Sequence, residues 1–200
     1  MGIAACLLIA LFIKDELSYD QHYQKKNSFD RMAQAFSFNG QESKQTWMQA
    51  PFAQALRNDY PQVEMVGRAR PFGRTENRIR RSTVQQNSIE SGFTYADSTI
   101  LELFEIPMIT GDKTTALRDN SSMIISQEKA ENFFPGENPI GEIMIINGNE
   151  TNPFTITGVM GKPLGKSHFN FDFILSLSNV EFFRGEANAW GANNFQTYVR

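Results

Sequence analysis

Residues with the chemistry of a site are few in this chain. The nearest approach to a phosphate cradle is Gly161-Lys-Pro-Leu-Gly165-Lys166-Ser167. A P-loop needs four residues between its glycines and opens a helix whose N-terminus faces the phosphates. Here three residues separate Gly161 from Gly165, and a strand pattern follows from His168 onward. With Pro163 in the middle, the segment reads as a turn between strands and not as a nucleotide site. His22 and His168 are far apart, and Cys6 is the single cysteine. No H-x-x-x-H, C-x-x-C or acidic-triplet spacing accompanies them, so no metal or other cofactor is expected. His168 reads as a turn residue with local hydrogen bonds. No Gly-x-Ser-x-Gly occurs, and no serine, histidine and acid combine into a nucleophilic set. The acidic pairs Asp15/Glu16 and Glu102/Glu105 read as solvated faces. No catalytic residue is assigned, and the chain is read as a non-enzyme.

The unusual charge feature is a basic run. Arg68, Arg70, Arg74, Arg78, Arg80 and Arg81 stand against Glu76 alone. On a β-hairpin alternate residues share a face, so Arg68 with Arg70, or Arg78 with Arg80, would form a basic stripe. One reading is a solvated edge whose charges block strand-to-strand aggregation. The other is a contact with an acidic partner subunit, an anionic lipid headgroup or an anionic cargo. Nucleic acid is excluded as the partner: no aromatics interleave as a stacking platform, and the whole chain carries a net charge of −3. Asn120-Ser-Ser and Asn149-Glu-Thr match a glycosylation acceptor but read as loop composition.

The elements that must position these residues alternate along the chain. Phe29–Phe38 reads as an aromatic-rich strand, and the polar stretch 39–46 with Gly40 as a turn or loop. Pro51 opens a helix carrying Phe52, Ala55 and Leu56, which Asp59-Tyr60-Pro61 ends. Val63–Phe72 is the next strand, completing a βαβ unit on one sheet face. Residues 74–88 have weak strand character, and Phe93–Tyr95 is a short strand. Asp97 caps a helix with Ile100, Leu101, Leu103 and Phe104. Met123–Ile125 is a buried strand, and Ser126 is the N-cap of a helix over 127–134. Strands are expected at 142–147 and 154–160. Phe169, Phe171, Phe173, Leu175 and Leu177 give a period-2 strand with one apolar face. A short helix or loop with Trp190 fills 179–194. The strand starting at Phe195 has no visible partner downstream, so the chain reads as part of a longer one. One cysteine excludes an internal disulfide framework. Seventeen phenylalanines against two tryptophans predict a core dominated by aromatic packing.

Ile3–Ile13 is a run of eleven apolar residues. It is shorter than the roughly 20 residues that span a bilayer. A secretory leader is disfavoured, since no basic segment precedes the run and no small-x-small site follows it. Length alone favours a buried core helix, and the outer half of a membrane helix is the competing reading. Residues 14–26 continue as a helix with Tyr19 and Tyr23 on one face. The two rings either lie at the headgroup level or pack on the domain.

Six phrases carry a resemblance: LLIALFIKDELSYDQHYQKKNSFDRM at 7–32, APFAQALRNDYPQVE at 50–64, YADSTILELFEIPMITGD at 95–112, MIISQEKAENFFPGENPIGE at 123–142, FTITGVM at 154–160 and SHFNFDFILSL at 167–177. Together, and in this order, they resemble the MacB-like periplasmic core domain of ABC-transporter permeases of the MacB/FtsX superfamily, in the form common in Bacteroidetes-type bacteria.

The resemblance implies an α+β fold: a discontinuous porter-like α/β subdomain with an inserted, mainly-β subdomain, preceded by the end of a transmembrane helix. It places the membrane-helix end at 1–13 and a stalk helix at 14–27. The first porter-like segment falls at 28–72, the insertion at 73–166 and the start of the second porter-like segment at 167–200. The family continues with further membrane helices, and a sheet cut there would leave an unpaired edge. The implied role is an extracytoplasmic domain that couples membrane-helix motion to substrate export or release. It would sit in the periplasm on the bacterial inner membrane. The implied partners are a separate ATP-binding subunit, reached through the membrane part, a second permease in a dimer, and a periplasmic partner protein. The alternative is a periplasmic binding module for a lipid, peptide or partner protein.

Overall fold

The computed structural model describes residues 29–73, 75–162 and 171–200. The expected membrane-helix end at 1–13 and stalk at 14–27, with Cys6, Tyr19, His22 and Tyr23, lie outside the described residues. So do Arg74 and the stretch 163–170 with His168. No helix among the described residues is long and apolar enough to cross a membrane.

The chain begins with β1 (Asp30–Arg31), β2 (Gln34–Phe38), β3 (Gln41–Gln45), β4 (Met48–Gln49), α1 (Phe52–Asp59) and β5 (Val66–Pro71). Next come β6 (Asn77–Arg81), β7 (Ser88–Glu90), β8 (Phe93–Ala96), α2 (Ser98–Leu103) and β9 (Met108–Thr110). The last group is β10 (Ser122–Ser126), α3 (Gln127–Phe133), β11 (Ile143–Ile146), β12 (Phe154–Met160), β13 (Phe173–Ser176), α4 (Leu177–Arg184) and β14 (Asn193–Val199). Twelve of the described strands form one mixed sheet in the order β1-β14-β5-β8-β13-β10-β12-β11-β6-β7, with β4 also on β14 and β9 also on β12. The α+β class expected from the resemblance is the class observed.

Alternation of side chains assigns the two faces. Ala69, Ala96, Ile124 and Ile174 point to one side, where α2 covers them with Ile100, Leu101, Leu103 and Phe104. Phe93, Met123, Ile125, Phe173 and Leu175 point to the other side, under α3 with Ala130 and the adjacent Phe134. Val66 meets Ala53 and Leu56 of α1. The phenylalanine-rich composition is realised as ring pairs. Phe93 stacks on Phe173 at 4.3 Å, and Phe104 meets Tyr198 edge-on at 4.9 Å.

The βαβ unit expected from Phe29–Phe38, the helix after Pro51 and Val63–Phe72 is corrected: its first stretch divides into β1, which pairs with β14, and β2, which pairs with β3, and the unit around the helix is instead β4-α1-β5. Both strands run antiparallel to β14, which lies between them. It is a split βαβ unit closed by the end of the described chain. The strand at Phe195 therefore finds its partners upstream and occupies the sheet interior, so the unpaired edge expected there does not arise.

Three local expectations are corrected. Residues 41–45 are a strand and not a loop, pairing with β2. Asn39 and Gly40 have φ of 51° and 78°, the two left-handed residues of a two-residue hairpin turn. The strand expected from Phe169 is described only as β13, and all four of its residues are buried rather than one face alone. It lies between β8 and β10, where both faces are covered. Finally, β5 and β6 form no hairpin. β5 pairs with β14 and β8, while β6 pairs with β11 and β7. The six strand spacings between them correspond to roughly 29 Å at about 4.8 Å each.

Candidate functional site

The most connected polar group is the Arg68 guanidinium. Its strand position sends it to the face that α1 and α4 cover. Nε and Nη2 donate to the two oxygens of Asp97 at 3.0 and 3.1 Å. Nη1 donates to Glu181 Oε1 at 2.6 Å and to the Ala50 carbonyl at 3.0 Å. Asp97 also accepts the Arg68 backbone N–H, and its own N–H donates to the Arg68 carbonyl. One side chain thus fastens the turn before α1, the start of α2 and the body of α4 to β5. Burial alone would lower the Arg68 pKa, but Asp97 and Glu181 outweigh it and push it up. Asp97 does stand at the N-cap position of α2, as expected, yet its carboxylate makes no cap bond because Arg68 occupies it. Ser126, by contrast, accepts the Lys129 N–H as the N-cap of α3.

The other arginines of the basic run separate into different environments. Arg70 shares a face with Arg68 and donates to Glu186 at 2.9 Å, both cations lying 5.8 Å from the Phe195 ring centroid. Arg80 is buried against Glu150 and the carbonyls of Arg81, Ser82 and Val84. Arg81 bonds Glu137 at 2.9 Å and lies 4.4 Å over the Phe134 ring. Arg78 is exposed, and its guanidinium makes no bond among the described residues. A further ion pair joins Lys129 of α3 to Glu90 of β7 at 2.6 Å. Burial opposes the Lys129 charge there, but Glu90 prevails and raises its pKa.

Two shallow grooves flank the Arg68 clasp, sharing Arg57 and Glu181 as a common wall. One, of about 380 Å³, lies between α1 and the loop after α4 that carries Trp190. The second, of about 360 Å³, is lined by Ser98, Thr99, Arg118 and Ser178. Sequence reasoning placed neither. The partners of Arg68 lie 29 and 113 residues away along the chain, beyond any local pattern. The signal that existed was Trp190 standing in the small-residue stretch Ala187–Ala192. Among the described residues no group of three or more His, Cys, Asp and Glu could hold a metal.

The described sheet and its helices, joined by the Arg68 ion pairs, form a packed α+β domain. The MacB-like periplasmic core domain model matches residues 1–200, and the chain belongs to that family. The family is one of ABC-transporter permease domains and not an enzyme class. A domain named for a permease of Porphyromonas gingivalis is similar at a TM-score of 0.65 and 22% identity, over 80% of this chain and 65% of that one. The periplasmic region of MacB from Actinobacillus actinomycetemcomitans matches at 0.57 and 13%, over 76% of this chain and 64% of that one. The extracellular domain of the noncanonic ABC-type transporter YknZ from Gram-positive bacteria matches at 0.51 and 16%, over 77% and 80%. The chain thus spans just under two thirds of the first two structures, and the likeness shows the fold. No curated protein matches the chain.

Proposed function

We propose that this domain is a mechanical relay on the bacterial inner membrane. It passes motion of membrane helices, driven by a separate ATP-binding subunit, to the export or release of a substrate in the periplasm. In this reading 1–13 ends a membrane helix, 14–27 is the stalk, 28–72 and 167–200 are porter-like segments and 73–166 is their insertion. Two permeases and a periplasmic partner protein complete the assembly. The observation that supports the reading is the Arg68 clasp. A relay must move as one body, and packed interiors transmit displacement better than they absorb it. The clasp joins α1, α2 and α4 to the sheet by ion pairs that are largely shielded from water. The domain itself carries no chemistry in this scheme. Contact between the basic run and an anionic partner falls to Arg78, the described member whose guanidinium is open to solvent.

The test is a flexible Gly-Ser linker inserted near Lys26 in the full-length permease. Transport is expected to fall while expression and domain folding stay unchanged. Transport at the normal rate with the linker in place would contradict rigid coupling.

A further inference from the structure

We propose that the groove beside Trp190 binds a saccharide, with one pyranose ring stacked on the indole. Trp190 is 58% exposed. Its neighbours Ala187, Asn188, Ala189, Gly191 and Ala192 have no side chain large enough to cover it. The loop is nevertheless anchored. Gly185 ends α4 in the left-handed conformation with φ of 63°. Glu186 then accepts from Arg70 at 2.9 Å and from Asn194 at 3.2 Å, and the Ala189 N–H closes a turn on the Glu186 carbonyl. These bonds anchor the loop on both sides of Trp190, whose exposed indole lines the groove. An aromatic face is electron-rich, and the C–H face of a pyranose presents weakly positive hydrogens to it.

The opposite wall supplies the polar half of the match. Gln54 and Asn58 stand one helical turn apart on α1, and Gln54 Nε2 donates to Asn58 Oδ1 at 2.9 Å. That bond orients both amides. It leaves the Asn58 N–H groups and the Gln54 carbonyl without a described partner, facing the same space as the Asn188 amide. At the floor, Glu181 holds Arg68 through Oε1 and keeps its second oxygen as an acceptor. Sugar hydroxyls are both donors and acceptors, and neighbouring hydroxyls suit paired amide and carboxylate groups. Arg68 is neutralised by Asp97 and Glu181, while Arg57 bonds the Val66 carbonyl, so the floor does not select a strong anion or cation. The volume of about 380 Å³ falls within the range of about 300–1,000 Å³ typical of small-ligand sites.

The experiment titrates the 200-residue chain with chitotetraose, with maltotetraose and with tetra-alanine, following heat and tryptophan fluorescence. Saturable binding of at least one saccharide below about 10 mM is expected. Trp190→Ala should weaken it about tenfold or more, and Asn58→Ala should weaken it severalfold. Trp190→Phe, which keeps a ring, should stay near the parent, and Arg118→Ala in the neighbouring groove should have no effect. Both substitutions at Trp190 change an exposed side chain, so folding is preserved and checked by circular dichroism. Failure of both saccharides to saturate, unchanged binding in Trp190→Ala, or saturation by tetra-alanine alone would each overturn the assignment. These results are independent of the linker test, because the groove can bind or fail to bind whether or not the stalk is rigid.

Discussion

Arg68 and Arg78 carry the same charge, but only the first is enclosed by carboxylates. Replacing Arg68 by Met would strand Asp97 and Glu181 partly buried without a counter-charge. A cost of about 2–4 kcal/mol is expected, below the fully buried case because all three groups retain some solvent. Arg78→Ala should shift stability by less than about 0.5 kcal/mol. Urea midpoints of the two variants check the contrast, and adding Asp97→Asn to Arg68→Met should cost less than the sum of the single changes. Tyr198 gives the pH prediction. Burial disfavours its phenolate, and although Arg31 pulls the other way, the pKa is pushed up to about 12. An unfolded tyrosine titrates near 10. The fold therefore favours the neutral form. That contribution is whole below about pH 10 and is lost as pH rises through 12, amounting to about 3 kcal/mol. Tyr198→Phe should flatten the alkaline limb of stability between those values, at the cost of about 1 kcal/mol for the hydrogen bond to Gln196.

Among the secondary-structure elements, the turn residues decide pairing. The hairpin β2–β3 depends on Asn39-Gly40, a pair that marks such turns directly in a sequence. The loop reading of 39–46 missed it because the following strand, Gln41–Gln45, is polar and mostly exposed and shows no apolar alternation. Gly111 is a different case. Its φ is +94°, and an added Cβ would lie 2.6 Å from the Thr157 carbonyl oxygen and 2.9 Å from the Gly158 Cα. Backbone atoms cannot yield as side-chain tips do. Gly111→Ala is expected to cost about 2–3 kcal/mol and to loosen β9 from β12. Gly40→Ala has nothing within 4 Å and should cost only the left-handed strain, about 1 kcal/mol. Chemical denaturation of both variants distinguishes a steric clash from a conformational penalty.

Twelve of the described strands form one layer whose centre is covered on both sides, and β2 with β3 forms a separate two-stranded sheet. β5, β8, β13 and β10 lie between neighbours in the sheet, while β7 ends it at one side and β1 with β4 at the other. Backbone hydrogen exchange should follow this order, since local opening is easiest where few apolar contacts must break. The slowest amides are expected in β13 and β10, and the fastest in β7 and the β2–β3 hairpin. Uniform protection across the sheet would count against the layout.

Much of the architecture was legible from residues close together in the chain. Pro51 starting α1, Ser126 capping α3 and the apolar runs 123–125 and 154–160 act through contacts one or two turns long, and such patterns survive in a linear sequence. Family membership was legible as well, because six phrases recur in the family's order along the chain. The tertiary structure alone decided which strands are neighbours. It separated Arg68 and Arg70 from Arg78, Arg80 and Arg81 by six strand spacings, placed β14 between β4 and β5, and joined Arg68 to carboxylates up to 113 residues distant. The physical reason is range. Helix caps and turns are set by neighbouring dihedral angles and hydrogen bonds. Ion-pair partners and grooves are set by which apolar faces stack when the whole sheet closes, and local spacing does not encode that choice.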